Sequence, residues 1–325
     1  MISIGGIKML DKLIGNTPMI KVKYHYQNQT NYVYAKLEYY NFTGSIKDRV
    51  AYYILKKAKE LGLLKDREPI VEATSGNTGI SFAALGAYYN HPVHIFMPDW
   101  ASVERVSIMR LYGAHVHLVS KEEGGFKEAI RRSEEYAPKI NGFLPRQFEN
   151  NLNVEAHYNT TAKEIISSLP TVDTFVSGIG TGGTLMGVAK YLKEKDKNIK
   201  IIALEPNKMP LLSGGKIIGN HKIEGIGDDF IPQIVDKNYI DDIVVIDDED
   251  AINMSRLLAK KLGLGVGISS GANFLASVLS SGNNVATVFA DDFKKYLTTD
   301  LTKEINKDPK LLSNQIELLD MEVIN

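Results

Sequence analysis

Four short segments of this 325-residue chain bring together side chains able to do covalent or acid–base chemistry. The first, Asn41-Phe-Thr-Gly-Ser45-Ile-Lys47-Asp48-Arg49, places a lysine just inside a helix start that Ser45 can cap. A lysine in the first turn is set against the helix macrodipole, which disfavours the ammonium and frees the amine as a nucleophile. The second, Glu72-Ala-Thr74-Ser75-Gly76-Asn77-Thr78-Gly79, offers hydroxyls, an amide and helix-start N–H groups, a set suited to grasping a carboxylate. The third, Gly178-Ile-Gly180-Thr-Gly182-Gly183-Thr184, is a glycine loop between a strand and a helix, where bare backbone can approach a phosphate. The fourth, Val266-Gly267-Ile268-Ser269-Ser270-Gly271, again delivers hydroxyls to a helix start.

By itself the glycine loop has two meanings. Gly178, Gly180 and Gly183 satisfy the G-x-G-x-x-G spacing of dinucleotide binders, and Glu205 follows roughly 20 residues on, as that motif requires. A nicotinamide oxidoreductase is therefore one reading, and glycines serving only a tight turn are another. The first of these leaves Lys47, residues 74–79 and Ser269 unexplained.

Short β-branched runs alternate with longer amphipathic segments, the pattern of strands joined by crossover helices. Strands are expected at residues 32–37, 69–72, 93–97, 115–119, 174–178, 199–204, 242–246 and 284–289. Helices are expected at 46–61, 79–89, 102–112, 127–136, 154–169, 184–195, 248–262 and 271–279. This defines an α/β protein, and periodicity leaves open whether it is one barrel or two open sheets. Each of the chemical segments falls at the carboxyl end of a strand or at a helix start. The segment 141–153 is the candidate crossing between two lobes, and the residues from 303 onward read as a tail, a partner-binding helix or a plain surface helix.

Composition removes several classes. With 38 basic and 39 acidic residues the chain has no electrostatic footprint for nucleic acid. The absence of cysteine excludes disulfides, iron–sulfur clusters, thiolate zinc sites and a cysteine nucleophile, and no metal site is read. No apolar run is long enough for a membrane span, and Met1-Ile-Ser-Ile-Gly-Gly does not read as a secretory signal, so a cytoplasmic location is expected.

Taken together and in order, the segments resemble the cysteine synthase and cystathionine β-synthase family, fold type II enzymes that use pyridoxal phosphate. The resemblance spans residues 13 to about 299. It includes Ile14-Gly-Asn-Thr-Pro18, Gln147-Phe-Glu-Asn150, Leu212-Ser-Gly-Gly-Lys216 and Glu224-Gly-Ile-Gly227, besides the four segments above. It implies two open α/β sheets with helices on both faces and the cofactor in the cleft between lobes. Residues 1–44 and 146–305 would form a larger cofactor-binding lobe, 45–145 a smaller mobile lobe carrying the substrate-carboxylate loop, and 306–325 a tail. Lys47 would form the internal Schiff base, and Asn77 would hydrogen-bond the ring's phenolic oxygen. Gly180, Thr181, Gly182, Gly183 and Thr184 would hold the phosphate, and Ser269 would face the pyridine nitrogen. Thr74, Ser75, Thr78 and Gln147 would take the substrate carboxylate.

The resemblance implies β-replacement on L-cysteine or an O-activated L-serine through an aminoacrylate. A neutral Ser269 opposite the ring nitrogen makes the ring a weaker electron sink, so loss of the β-substituent competes well with transamination. The chain departs from its relatives at Gly225-Ile-Gly227-Asp228-Asp229-Phe230, where cysteine synthases usually read Gly-Ile-Gly-Ala-Gly-Phe. A carboxylate at Asp228 would orient and deprotonate water and repel hydrosulfide. The sharper expectation is conversion of L-cysteine and water to hydrogen sulfide and L-serine. O-acetylserine sulfhydrylase and cystathionine or lanthionine synthesis are the alternatives. Further departures are Ala290-Asp291-Asp292-Phe293, where the family often has Pro-Asp-Ser-Gly, and Trp100, which is placed to cover the cleft. The family is commonly homodimeric, and a partner such as serine acetyltransferase is not legible in one chain.

Overall fold

The computed structural model describes residues 10–324. The segment read for a leader, residues 1–9, lies outside the described residues, as does residue 325.

Two open sheets carry the chain. The larger runs in the order β10-β1-β2-β9-β6-β7-β8, formed by β1 (Met19–Tyr26), β2 (Gln29–Leu37), β6 (Thr174–Gly178), β7 (Lys200–Pro206), β8 (Asp242–Ile246), β9 (Val285–Phe289) and β10 (Glu317–Ile324). The smaller is the parallel set β3 (Ile70–Ala73), β4 (Val93–Pro98) and β5 (His115–Val119). Two sheets rather than one barrel resolve the choice that periodicity left open.

Burial explains why these runs are strands. All five residues of β9, Val-Ala-Thr-Val-Phe, are buried, because the central parallel strand has helices over both faces. On one face Val285 and Phe289 pack with Ala251, Met254, Phe274 and Leu275 of α8 (Asp248–Leu262) and α9 (Ile268–Val278). On the other, Ala286 and Val288 pack with Val154, Ile165, Leu185 and Val188 of α5 (Asn151–Asn159), α6 (Thr161–Ser168) and α7 (Gly183–Lys195). The small sheet is covered likewise, by α1 (Lys47–Glu60), α2 (Asn77–Tyr89) and α3 (Val103–Leu111) on one side and α4 (Gly125–Lys139) on the other.

Three expectations need correction. The helix expected over 154–169 is two helices, because Thr160 leaves the helical region (φ −123°, ψ −76°) and its hydroxyl donates back to the Ala156 carbonyl at 2.6 Å. Strand β1 was not anticipated, since Lys21 and Lys23 interrupt its apolar run; its inward residues Ile20, Val22 and Tyr24 show the alternation of a half-buried antiparallel strand. The C-terminal segment is not a tail or surface helix. After the short α10 (Leu312–Gln315) it adds antiparallel to β1 as edge strand β10. Its pairing partner is nearly 300 residues away in sequence, which no local pattern reveals.

The carboxyl ends of β9 and β6, and of β3 in the small sheet, open toward one cleft, the position where open α/β sheets hold their ligands. A buried ionic cluster fixes the start of α1 there. Arg49 donates to Glu38 at 2.6 Å and to both oxygens of Glu164 at 2.7 Å, and Lys36 pairs with Glu164 at 2.8 Å. Breaking such a buried cluster by removing one partner costs about 3–5 kcal/mol, so α1 is held to the end of β2 and to α6 two residues from Lys47.

Candidate active site

Lys47 opens α1. Its backbone N–H donates to Ser45 Oγ at 3.3 Å, and the N–H of Ile46 donates to the Ala290 carbonyl at 2.9 Å, which fastens the helix start to the end of β9. The side chain is half-buried and lines the cleft. Burial pushes its ammonium pKa down, while Asp291 and then Asp228 hold it up.

The loop after β3 faces it. The Thr74 hydroxyl accepts from the Gly76 N–H at 3.0 Å, and Arg105 Nη1 donates to the Ser75 carbonyl at 3.0 Å. Thr78 Oγ1 donates to Gln147 Oε1 at 2.6 Å, and Gln147 Nε2 donates to the Ala73 carbonyl at 2.8 Å. Beneath Gln147 lies Glu72, buried and accepting from the N–H groups of Ala73 (2.8 Å) and Gln147 (3.2 Å). Burial pushes the Glu72 carboxyl up to about 8. With Glu72 protonated beneath it, this loop presents hydroxyls and N–H groups toward the cavity, as an anion pocket requires.

The glycine loop joins β6 to α7. Asn153 Nδ2 donates to Thr181 Oγ1 at 2.9 Å, and Thr184 Oγ1 shares a 3.2 Å hydrogen bond with His157 Nε2. Burial, with Lys47 and Arg49 nearby, pushes His157 well below its ordinary pKa, so it is neutral. Glycine is required here by space. A Cβ on Gly180 would lie 2.3 Å from the Gly225 carbonyl oxygen, and one on Gly183 would lie 1.9 Å from Asn153 Oδ1.

Ser269, second residue of α9, is buried and reaches the same cavity. Asp228 enters it from the loop after Gly227; burial and Asp229 push its carboxyl up to about 7, with Lys47 opposing. Asp229 turns outward to Lys127 of α4 at 2.8 Å. Thus Lys47, Thr74, Ser75, Asn77, Thr78, Gln147, Gly180, Thr181, Gly182, Thr184, Asp228 and Ser269 all line one cavity. Gly183 does not line it, and instead begins α7 behind the loop. Trp100, half exposed, borders the wider outer mouth together with Asp228, and Lys121 Nζ lies 5.3 Å over its ring.

Sequence reasoning missed Arg105, Asn153, His157 and Asn273 as supports, because each acts through contacts distant in the chain. Asn273 Oδ1 accepts from the Gly178 N–H at 2.9 Å, holding the glycine loop to α9. Asp291 was visible only as the one residue of Ala290-Asp291-Asp292-Phe293 that matches the family's Pro-Asp-Ser-Gly. Glu205 is not free to hold a ribose. Its oxygens accept from the Leu212 and Ser213 N–H groups at 2.8 and 3.0 Å, and from the Ser213 hydroxyl at 2.5 Å. The dinucleotide reading loses its acidic residue.

The residues fit a phosphate-bearing aldehyde. The Asn77 Oδ1 is buried at the cavity with no partner, the amine of Lys47 faces the same space, and the glycine loop tolerates no Cβ. Fold and site together define an α/β enzyme with its cofactor site in the cleft between two open sheets. The family model described as "Pyridoxal-phosphate dependent enzyme" matches residues 10–291. The chain belongs to the family of pyridoxal-phosphate dependent enzymes and is cysteine synthase-like. It is 40% identical over 299 residues to a cysteine synthase of Staphylococcus aureus, covering 90% of this chain and 96% of that one. It is 43% identical over 298 residues to cysteine synthase B of Campylobacter jejuni, covering 90% and 97%. Among solved structures, a hydrogen sulfide-producing enzyme from Fusobacterium nucleatum superposes with TM-score 0.94 at 47% identity over 99% of both chains. A mutant of a hydrogen sulfide-producing enzyme, complexed with an alpha-aminoacrylate intermediate, gives TM-score 0.93 at 48% identity over 97% of both. No helix among the described residues is long and apolar enough to cross a membrane.

Proposed function

We propose that this enzyme converts L-cysteine and water to hydrogen sulfide and L-serine. Pyridoxal phosphate, when bound, supplies an electrophilic aldehyde and an electron-withdrawing ring. Lys47 would hold it at the aldehyde, Gly180, Thr181, Gly182 and Thr184 at the phosphate, Ser269 at the ring nitrogen and Asn77 at the ring oxygen. Thr74, Ser75, Thr78 and Gln147 orient the carboxylate of the amino acid. The Lys47 amine takes the α-proton, because burial keeps it from holding a proton of its own as firmly as a free lysine does.

The observation that carries the hydration step is Asp228 lining the cavity with Lys47, its carboxyl pushed up to about 7. A base of that strength holds a water through one oxygen and accepts its proton near neutral pH. The same negative charge disfavours return of hydrosulfide. The likeness to hydrogen sulfide-producing enzymes supports this direction. The relatives named cysteine synthase favour the second reading, cysteine formation from O-acetylserine and sulfide.

Incubation with L-cysteine as sole amino acid in ¹⁸O-water separates these. Labelled serine in step with sulfide is expected. Sulfide matched by pyruvate without serine overturns hydration, and turnover seen only with O-acetylserine plus sulfide establishes the second reading. Lys47→Ala abolishes turnover and the visible cofactor band on either reading.

A further inference from the structure

The segment after β9 brings a fully buried carboxylate against residues that line the site, next to Ala290 and bonded to Asn77. The Asp291 carbonyl accepts from the Gly267 N–H at 3.0 Å, and its backbone bridges to Ser45, two residues before Lys47. Its side chain reaches across the cleft, where Oδ2 accepts from Asn77 Nδ2 at 2.7 Å and from the Tyr296 hydroxyl at 2.5 Å. Oδ1 is buried with no partner, and a Cβ on Gly267 would lie 2.0 Å from it, so only glycine leaves room for the carboxylate. One residue therefore touches the Lys47 segment, the Asn77 helix and the N-terminal cap of the helix that carries Ser269.

An ionised carboxylate only accepts hydrogen bonds. Asn77 must turn its nitrogen toward Asp291, which aims its unpartnered Oδ1 away from that carboxylate. The two partners of Asp291, an amide and a phenol, are neutral, so its charge is not cancelled by an ion pair and acts on Lys47. We propose that Asp291 is a positioning residue of this site, fixing the Asn77 amide from across the cleft and supplying the buried negative charge that faces Lys47. The other charged or titratable groups around Lys47 and Asp291 include Asp228 from the opposite loop, His157 from α5 and Asp292 beside Asp291, while Arg105 lies over the Tyr296 ring at 5.3 Å.

The proposal rests on Lys47 carrying the cofactor, and the test distinguishes the two. The visible band of the bound cofactor is titrated against pH in the holoenzyme. In Asp291→Asn, which keeps the shape and removes the charge, the midpoint for loss of the protonated form falls by about one pH unit or more, with the cofactor retained. Tyr296→Phe leaves the carboxylate charged but one donor short, and moves the midpoint upward. A parent-like midpoint in either variant overturns the role of Asp291, so the outcome stands even if one variant fails to fold. A band that persists in Lys47→Ala refutes the Lys47 reading instead.

Discussion

Arg105 and Glu224 form an ion pair across the mouth of the cavity, joining α3 of the small sheet's layer to the loop that carries Asp228. The same guanidinium donates through Nη1 to the Ser75 carbonyl and through Nε to Ser102 Oγ, which itself donates to the Lys295 carbonyl at 2.6 Å. Arg105 thereby couples the Thr74 to Gly79 loop to the opposite wall. It is buried, and no other cation is placed to replace it at Ser75 among the described residues.

Arg105→Gln loosens the Ser75 turn without touching the glycine loop. The KM for the amino-acid substrate rises about tenfold or more, as expected for loss of a charged hydrogen-bond donor, while the visible cofactor spectrum is unchanged. Steady-state kinetics and an absorption spectrum on the same preparation check this.

If Asp228 activates water, it does so as the carboxylate. Serine release then rises with pH through about 7, where the buried group loses its proton. Asp228→Asn removes that limb of the profile and lowers serine formation by about a hundredfold or more. Cofactor binding is preserved. A pH–rate profile of both proteins, read by serine and not by sulfide alone, decides the point.

Glu72 predicts how stability depends on pH. Its folded pKa, about 8, lies above the unfolded value near 4.5, so the folded protein retains a proton that the unfolded chain has released. Its contribution to stability is present below the unfolded pKa and declines as pH rises toward about 8. Glu72→Gln removes this dependence. Thermal unfolding of parent and variant in mildly acidic and mildly alkaline buffer should show a flatter profile for the variant.

Gly183→Ala drives a methyl into Asn153 Oδ1, which would lie 1.9 Å away. Asn153 also holds Thr181 and the Gln147 carbonyl, both by 2.9 Å hydrogen bonds, so moving it disturbs two walls of the cavity. A loss of about 1–3 kcal/mol in stability, together with faster loss of cofactor on dialysis, is expected. Unfolding curves and cofactor retention measure the two effects separately.

What the chain declares locally is the chemistry. Lys47 behind Ser45, the Thr74 to Gly79 loop, the glycines from 178 to 183 and Ser269 are each defined by neighbours in sequence, since a strand end and a helix start need only contiguous residues. Strands β3, β4, β6, β7 and β9 were legible for the same reason: buried parallel strands are continuous apolar runs.

Only the tertiary structure decided the rest. It turned Glu205 inward to the 212–213 turn, which removed the dinucleotide reading. It brought Asp228 into one cavity with Lys47 across 181 positions of sequence and Asp291 against Asn77 across 214, and it closed the sheet edge with β10. Burial and proximity set proton affinity, and neither is a property of a residue type or of its spacing. The amino-acid order thus specifies which groups are present at the cleft; the packing of two sheets specifies which of them carry charge and toward what they point.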